Sequence, residues 1–308
     1  LLRRSFLAAS CLAAPWVAAA PRNRIGRQRL SAVTDEIATT PAGAIAFAKL
    51  YNLKWLELRA IPGGGGEYAR AKEPFLRQAA AELKEAGLGV SFLNTGMLKF
   101  GLPGTDVKPS RLETSEQRAL RLERYQRQFD ERLPYLQSSI RAAEILGVRD
   151  IRIFAFTRTG TPREHFPRIA AVINEMAAVA EKAGVRLLLE NETSCNAATC
   201  AETADLLKLI PSPAVGVNWD AMNGADMKEP AFPQGYALLP KSRLWNVQIK
   251  GRSLQDGPKK LDWAALIRAL EKDGYTGQLG LETHIFGRML ITHSHICMRE
   301  MIRLAERA

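Results

Sequence analysis

From residue 30 onward the chain alternates short apolar segments with longer stretches of helical spacing, and it does so eight times. The strand candidates cover residues 30–37, 53–59, 88–94, 150–156, 185–190, 214–219, 244–249 and 278–282. Between them, residues 75–86, 169–183, 201–210, 263–272 and 289–305 carry apolar side chains three and four positions apart, as one buried helix face requires. Gly87, Gly147, Gly184 and Gly274 follow such stretches, where a helix commonly ends on a left-handed residue. The strand candidates read as apolar runs more than as strict alternation, so both faces are expected to be covered. Eight β-then-α units in this length predict the α/β class and a single (β/α)8 TIM barrel over residues 21–308. An open doubly wound sheet is the rival, but no Gly-x-Gly-x-x-Gly turn follows the first candidate strand. The run from Gly63 to Gly66 comes after the second and reads as a loop.

The first 20 residues stand apart. Arg3 and Arg4 precede an apolar run over 6–17, and Ala18-Ala19-Ala20 offers small residues for cleavage. This layout predicts a signal peptide of the twin-arginine type over residues 1–20, hence export to the periplasm. Cys11 does not read as a lipid anchor, because Ala8-Ala9-Ser10 lacks the expected leucine and the apolar run continues past it. No other run is long and apolar enough to span a bilayer, so no stable membrane anchor is expected.

Charge narrows the partners. The formal net charge is +11, but the cations are spread along the chain and mixed with acids, which reads as solubility. The densest stretch, 111–132, holds six arginines interrupted by Glu113, Glu116, Glu123, Asp130 and Glu131. A solvated, salt-bridged helix fits that pattern better than a nucleic-acid stripe, which wants one sign on one face. No nucleic-acid partner is expected, and a homo-oligomer is compatible with the chain.

Four successive late strands end in polar groups. Leu187-Leu188-Leu189 runs into Glu190, the 215–219 segment into Asp220, Trp245-Asn246-Val247 into Gln248, and Leu279-Gly280-Leu281 into Glu282. Any one alone reads equally well as a charge fanning into solvent. A barrel of this kind gathers its chemistry at the C-terminal strand ends. Three carboxylates and an amide converging there would repel one another unless a divalent cation sat among them.

With these motifs in place, the chain resembles the xylose isomerase-like barrels described as sugar phosphate isomerases/epimerases, a group that includes ketose 3-epimerases, inosose dehydratase and hydroxypyruvate isomerase. The resemblance covers residues 30–305 and is most specific at Leu-Leu-Glu-Asn (188–191), Asn-Trp-Asp-Ala-Met-Asn (218–223), Asn-Val-Gln-Ile-Lys (246–250) and Leu-Gly-Leu-Glu (279–282). It implies one divalent metal held by Glu190, Asp220, Gln248 and Glu282. Many members carry His-x-His-x-Lys on strand seven and a histidine three residues after the strand-six aspartate. Here those positions hold Asn246, Gln248 and Asn223, with the lysine kept as Lys250. Oxygen donors without histidine favour Mn²⁺ or Mg²⁺ over Zn²⁺, and they argue against the His-rich zinc cluster of endonuclease IV on the same fold.

The implied activity is a metal-dependent sugar isomerase/epimerase acting through an enediolate, with Glu190 and Glu282 as the acid/base pair. Asn223, Asn246, Lys250 and His284 are the expected substrate-binding residues, and Lys250 is a candidate for holding the developing oxyanion. Export favours a free sugar or keto-glycoside over a phosphorylated one. Two alternatives stay open: a keto-glycoside lyase/dehydratase on the same barrel, and a non-catalytic carbohydrate-binding barrel. His165, His293 and His295 are expected in surface or packing roles. Cys195 and Cys200 are spaced so that a disulfide after export is one option and two free thiols the other.

Overall fold

The computed structural model describes residues 24–107, 112–255 and 261–307; the segment carrying Arg3, Arg4 and Cys11 lies outside them. The eight strands are β1 (Leu30–Ala32), β2 (Trp55–Leu58), β3 (Gly89–Leu93), β4 (Asp150–Ile153), β5 (Arg186–Glu190), β6 (Val215–Asp220), β7 (Leu244–Lys250) and β8 (Gln278–Glu282). All their pairings are parallel, in the order β1-β8-β7-β6-β5-β4-β3-β2. The parallel bridge Val33–Glu57 joins β1 to β2 and nearly closes the ring. The expected (β/α)8 TIM barrel is the observed fold.

The helices wrap the outside with their apolar stripes inward. Helix Phe166–Lys182 buries Ile169, Ile173, Met176 and Ala180, and helix Trp263–Lys272 buries Trp263, Leu266, Ile267 and Leu270. These meet outward strand residues such as Leu187, Leu189, Val247 and Ile249, all fully buried in one apolar shell. Gly87, Gly147, Gly184 and Gly274 each take φ near +70°, the left-handed turn expected at those helix ends. The arginine-rich stretch forms helix Ser115–Asp130, with no buried residue and a Thr114/Gln117 capping box. A second helix, Arg132–Leu146, follows directly and packs on the barrel.

Strand ends differ from the sequence expectation where the mouth is built. β1 stops at Ala32 because Thr34–Glu36 turns into a single 3-10 turn, which delivers Asp35 and Glu36 to the rim. β4 stops at Ile153, and Phe156 takes φ 55°. β6 and β7 run one residue further than expected, to Asp220 and Lys250.

The barrel interior is polar, where such barrels usually stack branched apolar side chains. Ser31, Glu57, Asn94, Asn218, Asn246 and Gln248 are all buried. Glu57 accepts from Ser31 Oγ (2.9 Å), Asn94 Nδ2 (2.9 Å) and Asn246 Nδ2 (3.3 Å). Buried polar groups need such partners, and here they find one another. Gly280 makes room for this: a Cβ there would come within 1.9 Å of Glu57 Oε1.

Candidate active site

Above this polar layer, the last inward residues of β5, β6 and β8 bring Glu190, Asp220 and Glu282 together. One oxygen from each lies within 4.8 Å of the others, and all three side chains are buried. Register explains the convergence. Asp220 pairs with Gln248, Gln248 with Gly280, and Lys250 with Glu282, so neighbouring strands raise polar side chains to one height. Asp220 also caps the short helix Ala221–Asp226: its Oδ1 accepts from the backbone N–H of Met222 (2.9 Å) and Asn223 (3.0 Å). That fixes the carboxylate and aims Oδ2 into the site.

The carboxylates have side-chain cations as partners. Arg152 Nη1 is 3.0 Å from Glu190 Oε2. Lys250 Nζ is 2.7 Å from Asp220 Oδ2 and 2.5 Å from Glu282 Oε2. Arg59 reaches Glu282 Oε1 at 3.0 Å while also contacting Glu36 (2.7 Å) and Asp35 (2.8 Å). Three clustered carboxylates therefore do not by themselves require a divalent ion here, although they can hold one. Lys250 of β7, Arg152 of β4 and Arg59, the residue after β2, already offset their repulsion.

Those partners set the protonation states. Burial pushes the Glu190 carboxyl up, against the pull of Arg152, to about 7. Burial also disfavours a charged Glu282, but Lys250, then His284 and Arg152, outweigh it and hold that carboxyl well below the usual range. Burial alone would lower Lys250; Asp220, Glu282 and Glu190 overcome it and keep the ammonium protonated above the ordinary lysine range.

The remaining expected residues fall in distinct places. His284 is partly exposed, with Nε2 2.8 Å from Lys250 Nζ and 3.2 Å from Glu282 Oε2. Gln248 is fully buried; its Oε1 accepts from Asn218 Nδ2 at 3.0 Å and its Nε2 donates to Asn94 at 3.4 Å. Asn223 donates to the backbone oxygen of Asn191 at 2.8 Å, tying the loop after β6 to the loop after β5. Asn246 lies one side-chain layer below Gln248 and gives its amide to Asn218 (3.0 Å) and Glu57 (3.3 Å). Its place is thus in the interior network, two residues short of the rim, and a substrate at the mouth meets Lys250 before it.

His293 and His295 take the packing roles expected, bonded to Gln255 (2.6 Å) and Tyr51 (2.8 Å). Cys195 and Cys200 are free, buried thiols. The disulfide option is not realised in this structure, and burial pushes the Cys195 thiol up to about 12 and raises the Cys200 thiol as well.

Sequence reasoning missed Arg59, Arg152, Asp35 and Glu36. Arg59 closes the second candidate strand as visibly as Glu190 closes the fifth, but a cation at a strand end carries no metal-ligand signal. Arg152 sits between Ile151 and Ile153, and a lone charge inside a buried strand points to the barrel interior.

The three carboxylates fit a divalent cation. Each contributes an oxygen to a common space, and Asp220 Oδ2 is buried there with the Lys250 ammonium in ionic reach. Among the described residues no helix is long and apolar enough to cross a membrane.

A family profile described as xylose isomerase-like TIM barrel matches residues 45–299. No curated protein matches the sequence. Among solved structures, 3-keto-D-glucoside 4-epimerase from E. coli is 16% identical with a TM-score of 0.64, covering 91% of this chain and 99% of that one. D-allulose 3-epimerase from Methylomonas sp., in complex with D-allulose, is 17% identical with a TM-score of 0.65, over 92% of this chain and 98% of that one. The IOLI protein, solved with a bound zinc atom, is 14% identical with a TM-score of 0.68, over 91% and 99%. At these identities the likeness is one of fold, and it agrees with the profile. By profile and by architecture, this chain belongs to the xylose isomerase-like TIM barrel family, whose structural neighbours here are mostly sugar epimerases.

Proposed function

We propose that this barrel is a sugar isomerase or epimerase that moves a proton through an enediolate, with Glu190 and Glu282 as its acid/base pair. The observation that supports this best is the convergence of Glu190, Asp220 and Glu282 within 4.8 Å at the C-terminal mouth. Their environments push the two glutamates apart: Glu190 sits near neutrality while Glu282 stays ionised. Two carboxyls so separated suit opposite roles in proton transfer. Delivery of the proton to the opposite face of one carbon gives epimerisation, and delivery to the neighbouring carbon gives isomerisation.

Glu190, Asp220 and Glu282, with Gln248 beside Asp220, are the residues that would hold a divalent ion. Such an ion supplies Lewis acidity toward the vicinal oxygens of a keto-sugar, and oxygen donors suit Mn²⁺ or Mg²⁺ better than Zn²⁺. Lys250 and His284 stand over Glu282, where their N–H groups can hold a developing oxyanion. Asn223 keeps the loops after β5 and β6 together and so keeps Glu190 and Asp220 in register. The substrate class is a free ketose or a keto-glycoside, the latter supported by the fold-level neighbour that acts on a 3-keto-D-glucoside.

The test is hydrogen exchange. Incubated in deuterated water with Mn²⁺ and a panel of ketoses and 3-keto-glycosides, the protein should wash deuterium into the carbon beside the carbonyl of its substrate. Glu190→Gln and Glu282→Gln should slow that exchange by roughly 10²- to 10⁴-fold, the usual worth of general acid-base catalysis. Exchange at the wild-type rate in both variants would remove these residues as acid and base. Tight sugar binding with no exchange on any member of the panel would favour the non-catalytic carbohydrate-binding barrel.

A further inference from the structure

The cation position of the site is already filled by a side chain. Lys250 leaves the end of β7 and places its ammonium 2.7 Å from Asp220 Oδ2 and 2.5 Å from Glu282 Oε2, with 1% of its side chain exposed. Both oxygens of Glu282 face a cation, Oε2 facing Lys250 and Oε1 facing Arg59 at 3.0 Å. The ammonium also bonds Glu282 and His284, so its three N–H groups are shared among Asp220, Glu282 and His284.

We infer that Lys250 is a built-in counter-cation for this site: its ammonium and a divalent ion compete for Asp220 Oδ2 and Glu282 Oε2, and the ion enters only when Lys250 withdraws. The inference rests on the proposed ion site, and it adds the residue that governs occupancy of that site. Three lines of geometry support it. An ion drawing on Asp220 Oδ2 and Glu282 Oε2 needs the oxygens that the ammonium now holds. Two like charges in a buried space of this size repel strongly, because little water is present to screen them. The ammonium also has somewhere to go, since His284, beside it, is partly exposed and marks the open side of the mouth. The fold is thereby spared three mutually repelling buried carboxylates when no ion is present.

The experiment is calorimetric titration of MnCl₂ into the whole protein, after treatment with a chelator, for the wild type, Lys250→Met and Lys250→Gln. Melting temperature is followed with and without Mn²⁺. Removing the ammonium should tighten Mn²⁺ binding by about tenfold or more, and Mn²⁺ should raise the melting temperature of the variants more than that of the wild type. Equal affinity in wild type and variants would overturn the role of Lys250 while leaving the ion site standing. No binding in any of the three would overturn the ion site and this inference together. If neither variant folds, wild-type crystals soaked in MnCl₂ decide. Anomalous density between Asp220 and Glu282 with Lys250 swung away supports the competition, and density there with Lys250 in place overturns it.

Discussion

Arg152 and Glu190 form a buried ion pair across β4 and β5, with Nη1 3.0 Å from Oε2 and 7% and 2% of the two side chains exposed. Arg152 also donates to the backbone oxygen of Thr95 at 3.1 Å and lies over the Phe154 ring, so its guanidinium is held from three sides. Glu190 Oε2 accepts a second bond from Asn218 at 2.7 Å. A carboxylate built into the barrel this way depends on its cation, because water cannot replace the lost partner.

Arg152→Met should therefore destabilise the protein by about 3–5 kcal/mol, the usual cost of leaving one member of a buried pair alone. Arg152→Lys keeps a charge but loses the fork that reaches both Glu190 and Thr95, and should fall between. Urea denaturation of the three proteins measures this. A loss under about 1 kcal/mol in the methionine variant would mean that Glu190 is neutral in the folded state and needs no cation.

We propose that residues 1–20, which lie outside the described residues, are an export signal, and Arg3-Arg4 is the feature that supports this. Changing both to lysine preserves charge and hydropathy but removes the pair that the twin-arginine route reads. In a host with that route, the double variant should accumulate as uncleaved precursor in the cytoplasm, while the wild type appears cleaved in the periplasmic fraction. Equal export of both would remove the twin-arginine reading while leaving export, and the preference for an unphosphorylated substrate that rests on it, in place.

The barrel was legible in the sequence because its signals are local and repeated. Apolar runs of strand length, helical stripes and glycines such as Gly147 and Gly184 at helix ends each depend on only a few neighbouring residues. Glu190, Asp220 and Glu282 were legible for the same reason: each carboxylate closes an apolar strand, and the fold puts strand ends together. What could not be read locally was the pairing. Arg59 and Glu282 are 223 positions apart, and nothing in either segment announces the other. The meaning of Lys250 likewise depended on register, since only the pairing of β7 with β8 sets it beside Glu282. Asn246, an expected substrate-binding residue, shares a motif with Gln248 and Lys250. A position two residues earlier on a strand is one layer deeper, and that places it with Glu57.

Glu57 supplies the last prediction. It is wholly buried, accepts from Ser31, Asn94 and Asn246, and has amide and hydroxyl neighbours in place of a cation. Burial raises its carboxyl above the ordinary range, more than the three donors can lower it. The folded state thus holds its proton more tightly than the unfolded chain does. A raised carboxyl of this kind contributes stability in full below the unfolded glutamate range, and the contribution is lost as pH rises through the folded value. Glu57→Gln keeps the shape and cannot ionise, so it lacks that loss. Urea denaturation of wild type and variant at pH 5 and pH 8 should show the stability difference moving in favour of the variant at the higher pH. Other titrating groups act on both proteins alike and cancel in the comparison. A difference that stays constant between the two pH values would mean that Glu57 keeps one protonation state throughout, and that the amide ring around it, from Asn94 to Asn246, already satisfies a full negative charge.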